Sequence, residues 1–141
     1  VSTARFLLDT NTVSEPLRPQ PNPNVVERLR EHGAEVAIPA PVWHELRFGG
    51  SRLPASRRRD AFERYLDEVV RFSMPVLNYG RRAADWHARE RARLVASGQT
   101  PPFVDGQIAA IAHVHGLVLV TSNTRDFLAF EGLQIENWLQ E

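Results

Sequence analysis

The sequence predicts an α/β fold, a mostly parallel sheet covered on both faces by helices. Two observations predict it: short apolar runs alternate with stretches of helical periodicity, and Pro and Gly fall at the joints between them. At 141 residues the chain is long enough for one domain with a proper core and too short to expect two.

The elements follow in order. "RFLLD" (5–9) is an apolar run ended by the turn-forming "DTN", so a buried strand is expected over Arg5–Leu8. "EPLRPQPNPN" (15–24) is a proline-studded connection. A helix then starts near Pro23 and stops at Gly33. "EVAI" (35–38) is the second strand, and Pro39 and Pro41 open a helix, "PVWHELRFGG", that the glycine pair is expected to end. Over residues 53–72, Phe62, Leu66 and Val69 stand at helical spacing. "MPVLN" (74–78) is a third strand, and residues 80–98 form an Arg-rich helix closed by Gly98. A helix after Pro101 and Pro102 carries Ile108, Ala109 and Ala112 three, four and seven places beyond Asp105. The strand "LVLV" (117–120), a polar loop and a short strand near Gln134–Glu136 complete the chain.

Composition excludes several chemistries. There is no Cys, so disulfides, thiolate zinc sites and thiol nucleophiles are absent, and no Lys, since all 17 basic residues are Arg. No apolar run approaches the roughly 20 residues that span a bilayer, and with no signal-like start the expected location is the cytoplasm. The zero net charge hides an asymmetry: residues 50–100 hold 11 Arg against 6 acids, the remainder 6 Arg against 11. A basic middle suits a polyanionic partner, and solvated helix faces would give the same tally.

In an open parallel sheet, ligands sit outside the carboxyl ends of the strands. Asp9 follows the first strand; Glu45, three residues from Val42 and Phe48, is expected to face inward from the helix after the second; Asp105 opens a helix on the same edge. "TSNTRD" (121–126) follows the last long strand. Each has a plainer reading as a turn former, first-turn helix acid or polar loop. Together, carboxylates about 4 Å apart would repel by roughly 4 kcal/mol at an effective dielectric near 20. They would protonate or bind a cation, and an oxygen-only set suits Mg²⁺ or Mn²⁺. His113 and His115, two apart on a helix, point different ways and are read as packing or surface residues.

"FLLDTNTVSEPLRP", "WHEL", "PFVDGQIAAIAHVHGLVLVTSNTRDF" and "IENW", in that order, resemble the PIN-domain ribonucleases, specifically the VapC toxins of bacterial toxin–antitoxin pairs and the similar FitB branch. The resemblance implies a single three-layer α/β/α PIN domain over 1–141 and an Mg²⁺- or Mn²⁺-dependent endoribonuclease, with tRNA or ribosomal RNA as candidate substrates. It also implies a VapB-like antitoxin that wraps the toxin and blocks its acidic site, a homodimer, operator DNA bound only through the antitoxin, and no membrane association. Asp9, Glu45 and Asp105 match the acids that hold the metal, while Thr10 and Asn11 would shape the strand-end turn near its water shell. The fourth acid of several relatives aligns with the neutral Asn123, and Asp126 would supply the missing charge directly or through water. Thr121 joins the expected substrate contacts. Arg81, Arg82, Arg89 and Arg93 would hold the RNA backbone, or form a solvated helix face. The helices over 23–32 and 41–71 offer apolar surface for an antitoxin, although Trp43, Phe62 and Leu66 read first as core. Asn123 leaves a second reading open, a catalytically weak PIN domain acting as a binding module.

No Asp-x-Asp follows the first strand, and there is no Lys for a receiver or dehalogenase-type site. Nucleophile elbows and Walker loops are missing as well.

Overall fold

The structure, a computed structural model, describes residues 3–140. Five strands, β1 (Phe6–Leu8), β2 (Val36–Pro39), β3 (Val76–Leu77), β4 (Val118–Val120) and β5 (Ile135–Glu136), form one sheet in the order β3-β2-β1-β4-β5. Every pairing is parallel, with Phe6 opposite Val36, Leu7 opposite Leu119, Ile38 opposite Val76 and Leu119 opposite Ile135. All residues of β1 and β2 are buried, as expected of strands covered by helices on both faces.

The helices are α1 (Thr10–Ser14), α2 (Pro23–His32), α3 (Ala40–Arg52), α4 (Arg57–Tyr65), α5 (Arg71–Ser73), α6 (Arg81–Ala96) and α7 (Phe103–Val114). Helix α2 begins where Asn22 caps it, its side-chain oxygen accepting from the Asn24 and Val25 amides, with Pro23 in the first turn. Helix α6 is closed as the sequence suggests: Gly98 takes φ 82° while the Gln99 amide returns to the Leu94 carbonyl. Phe6, His32 and Trp138 cluster at one end of the core, Trp138 standing edge-on to Phe6 at 5.1 Å between ring centres. Among the described residues no helix is long and apolar enough to cross a membrane.

Three expectations are corrected. "DTN" does not end in a loop: Asp9 caps α1, and a 3₁₀ turn over Glu15–Leu17 takes up the start of the proline-rich stretch. The glycine pair does not end α3, which runs on to Arg52; a Cβ on Gly50 would lie 2.5 Å from Glu63 Oε1 and 2.8 Å from Phe62 Cδ2, so the glycine admits α4 rather than stopping α3. The helix expected over 53–72 is α4, a π-helical segment over Leu66–Val70, and α5. The wider turn shifts the buried stripe by one residue: Leu66 and Val70 are fully buried, whereas Val69 faces solvent. Leu66 is core as read, and Trp43 and Phe62 pack against the core from its margin.

Candidate active site

The chain leaves β1 for β2 on one side and returns to β4 on the other, so the strand order reverses between β1 and β4. That gap is where an open α/β sheet forms its ligand crevice. Asp9 sits at its floor. The Asp9 amide donates to the Val120 carbonyl at 2.9 Å, which locks the end of β1 to the end of β4. Asp9 Oδ1 accepts from the Thr10 amide at 2.8 Å, and Oδ2 accepts from the Thr121 hydroxyl at 2.8 Å. Thr121 Oγ1 in turn accepts from the Asn123 amide at 3.0 Å. Thr121 is completely buried, so its expected role as a substrate contact is wrong; it orients Asp9 and the loop from beneath.

Asp105 lies in the first turn of α7. Its neighbour Gly106 rests on the buried His87 of α6: a Cβ there would come within 2.0 Å of His87 Nε2. His87 Nδ1 is hydrogen-bonded to the Tyr79 hydroxyl at 2.8 Å, and burial, together with the nearby Arg91 charge, holds the imidazole pKa below its usual value. Sequence reading missed this support, whose one signal was Gly inside an otherwise apolar helix turn. The Asp105 pKa is lifted from 3.8 to about 6, first by burial and then by the negative charges of Asp126 and Asp9. Three carboxylates from three segments thus share one field. Asp126 is exposed, on a 3₁₀ turn over Thr124–Phe127. Asn123, exposed at the head of that turn, brings no charge, so Asp126 carries the acidity of the loop.

Glu45 does not face inward among apolar residues. The buried stripe of α3 is Val42, Leu46 and Gly50, four residues apart, which leaves Glu45 half exposed and Phe48 likewise. Glu45 instead faces Thr10 and Asn11 across a groove of about 810 Å³ between α1, α3 and α4, whose apolar lining includes Leu17, Leu46, Leu53 and Phe62. Glu45 Oε1 lies 3.8 Å from His44 Nδ1. Among the described residues no three His, Cys, Asp or Glu side chains form a closed metal cage.

The four arginines do not act together. Arg93 is committed to Glu90, at 2.8 Å, and to the Ala129 carbonyl, so its expected place on RNA is not supported by its geometry. Arg82 donates to the Val114 carbonyl and, with Arg89, borders a shallow recess where Trp86 stacks on His113 at 4.6 Å. Arg81 is exposed at the start of α6. His113 is thus a packing residue, and His115 hydrogen-bonds the Ile111 carbonyl.

The donor set fits a hard divalent cation. Each Asp9 oxygen accepts one hydrogen bond and keeps a lone pair free. The mutual repulsion felt at Asp105 is what such an ion would relieve.

A family model described as "PIN domain" matches residues 6–133. The "Toxin FitB" of Neisseria gonorrhoeae is 33% identical over 136 residues, covering 94% of this chain and 98% of that one. The "tRNA(fMet)-specific endonuclease VapC" of Salmonella typhimurium is 31% identical over 134 residues, covering 95% and 98%. Among solved structures, FitAB bound to an IR36 DNA fragment superimposes with a TM-score of 0.88 at 29% identity, covering 96% of each chain.

Proposed function

This chain belongs to the PIN-domain family, and from that premise we propose that it is an endoribonuclease toxin, dependent on Mg²⁺ or Mn²⁺ and held inactive by a VapB-like antitoxin. The observation that carries the reading is the convergence of Asp9, Asp105 and Asp126 at the β1/β4 crevice, where burial first, and then the charges of Asp126 and Asp9, lift Asp105 to about 6. Asp9 and Asp105, with Glu45 from across the groove and Asp126 directly or through water, would hold the ion. When bound, such an ion supplies a water of lowered pKa and polarises a phosphodiester. Thr121 and the Thr10 amide keep both Asp9 oxygens aimed at the crevice, and His87 holds the first turn of α7 in place. Thr10 and Asn11 line the entry from the α1 side, and Arg81, Arg89 and Arg91, exposed on α6, are cations that would meet RNA phosphate.

The apolar groove beside Glu45 is the place for an antitoxin segment, whose seating there would cover the acids. The relatives' names support a toxin read this way: one is called a toxin, another a tRNA endonuclease. A homodimer, operator binding through the antitoxin and a cytoplasmic location belong to the same proposal. The neutral Asn123 and the open arrangement of the acids favour one competing reading, a PIN domain of weak activity that serves as a binding module.

Cleavage of total tRNA and ribosomal RNA by the antitoxin-free protein separates the two. Discrete cuts are expected with Mg²⁺ or Mn²⁺ and none with EDTA, and Asp9→Asn or Asp105→Asn should lower the rate at least about 100-fold. A folded, cation-binding protein that cuts neither RNA would leave two readings, an RNA target outside these two classes or the binding module.

A further inference from the structure

Beside the acids, on the opposite side of Glu45 from the large groove, lies a second recess of about 320 Å³ between the first turns of α3 and α7. Glu45 forms part of its wall, with His44, Tyr79, Val104 and Gln107. The size is at the lower limit of small-ligand pockets, roughly 300–1,000 Å³, which suits one planar ring system rather than a helix or an extended peptide. Tyr79 is held still by its hydrogen bond to His87, and its ring stands 6.5 Å from that of Phe103. Gln107 is half buried, and its side-chain amide has no hydrogen-bond partner among the described residues. Phe103, two residues before Asp105, is 48% exposed, with the Arg91 guanidinium 5.3 Å from its ring centre. Arg91 has no carboxylate within ion-pair distance among the described residues.

We propose that this recess receives the unpaired nucleobase next to the scissile phosphate, with the Gln107 amide reading its hydrogen-bonding edge and Arg91 meeting the adjoining phosphate. The proposal rests on the reading of the acidic edge as an RNA-cleaving site. Splayed single-stranded bases are recognised by aromatic walls and by amide groups that both donate and accept, and the recess offers both next to Glu45.

Binding is measured by fluorescence anisotropy with labelled single-stranded heptamers rA7, rC7 and rU7, in an Asp9→Asn background so that cleavage does not intervene. The parent should favour one base by about tenfold; Gln107→Ala should narrow the three affinities to within about twofold, and Gln107→Glu should change their order. Arg91→Ala should weaken all three alike and flatten the salt dependence. Equal affinities in the parent, or a preference that survives Gln107→Ala, overturn the proposal. Cleavage of a random-sequence RNA by protein with Asp9 intact tests the parent reading separately. Cuts with no base bias beside them keep the nuclease and reject the recess. Base-selective binding that needs Gln107, in a protein that never cuts, keeps the recess and rejects the nuclease.

Discussion

Thr121 shows what a single side chain does here that its place in the sequence does not announce. Read along the chain it is one polar residue of "TSNTRD"; in the fold it has no solvent exposure and joins Asp9, 112 residues away, to the Asn123 amide. Thr121→Val preserves the shape and removes both bonds. It is expected to cost 10–100-fold in divalent affinity, measured by titration calorimetry, while Thr121→Ser recovers most of the loss. Asp9, Asp105 and the acidic loop were legible because strand ends and helix starts show as breaks in periodicity. Glu45 was legible as an acid near the edge but not in its facing, since Val42 suggests one helical phase and only the contact with α4 selects the stripe through Leu46 and Gly50. Arg93 was misread in part against a local signal, since its closest partner Glu90 stands three residues before it on α6, and in part because the Ala129 carbonyl and Glu131 lie in a distant loop that no local pattern brings near.

Elements carry the next level of precision, and α7 depends on α6 for its position. Because a Cβ on Gly106 would overlap His87 Nε2, Gly106→Ala is expected to destabilise the protein by about 1–3 kcal/mol, read as a lower Tm. Pairing it with His87→Ala should cost less than the two single changes summed, since the small side chain admits the methyl. Strand and helix order was readable apart from α1, because Pro and Gly punctuate an alternating pattern. Two kinds of detail were not. Glycine reads locally as a helix stop, yet at Gly50 and Gly106 it marks close approach between helices, a property of packing. The π turn over Leu66–Val70 changes which apolar residue faces the core, and helical spacing alone assumes the ordinary turn.

For the molecule as a whole, the crowded acids link stability to pH and to cations. The folded-state pKa of Asp105 is raised, so its ionised form weakens the fold. The penalty is full above about 6, fades as pH falls toward 3.8, and is absent below it. Asp105→Asn should therefore raise stability in EDTA at pH 7.5 by about 1 kcal/mol, after allowance for solvent screening of this half-buried group, and the gain should vanish near pH 4. Mg²⁺ or Mn²⁺ should raise the Tm of the wild type at pH 7.5 and have much less effect on Asp105→Asn.

The pairing of β1 with β4 has a consequence for how the protein comes into being. Leu7 and Leu119, neighbours at the sheet centre, are brought together across most of the chain, and bringing distant segments together costs entropy before any contact repays it. Asp9 acquires its Thr121 partner only in that step. A nascent chain that has not yet exposed residues 118–126 has β1 and its acid but no crevice, so the acidic edge cannot exist before that segment has been made.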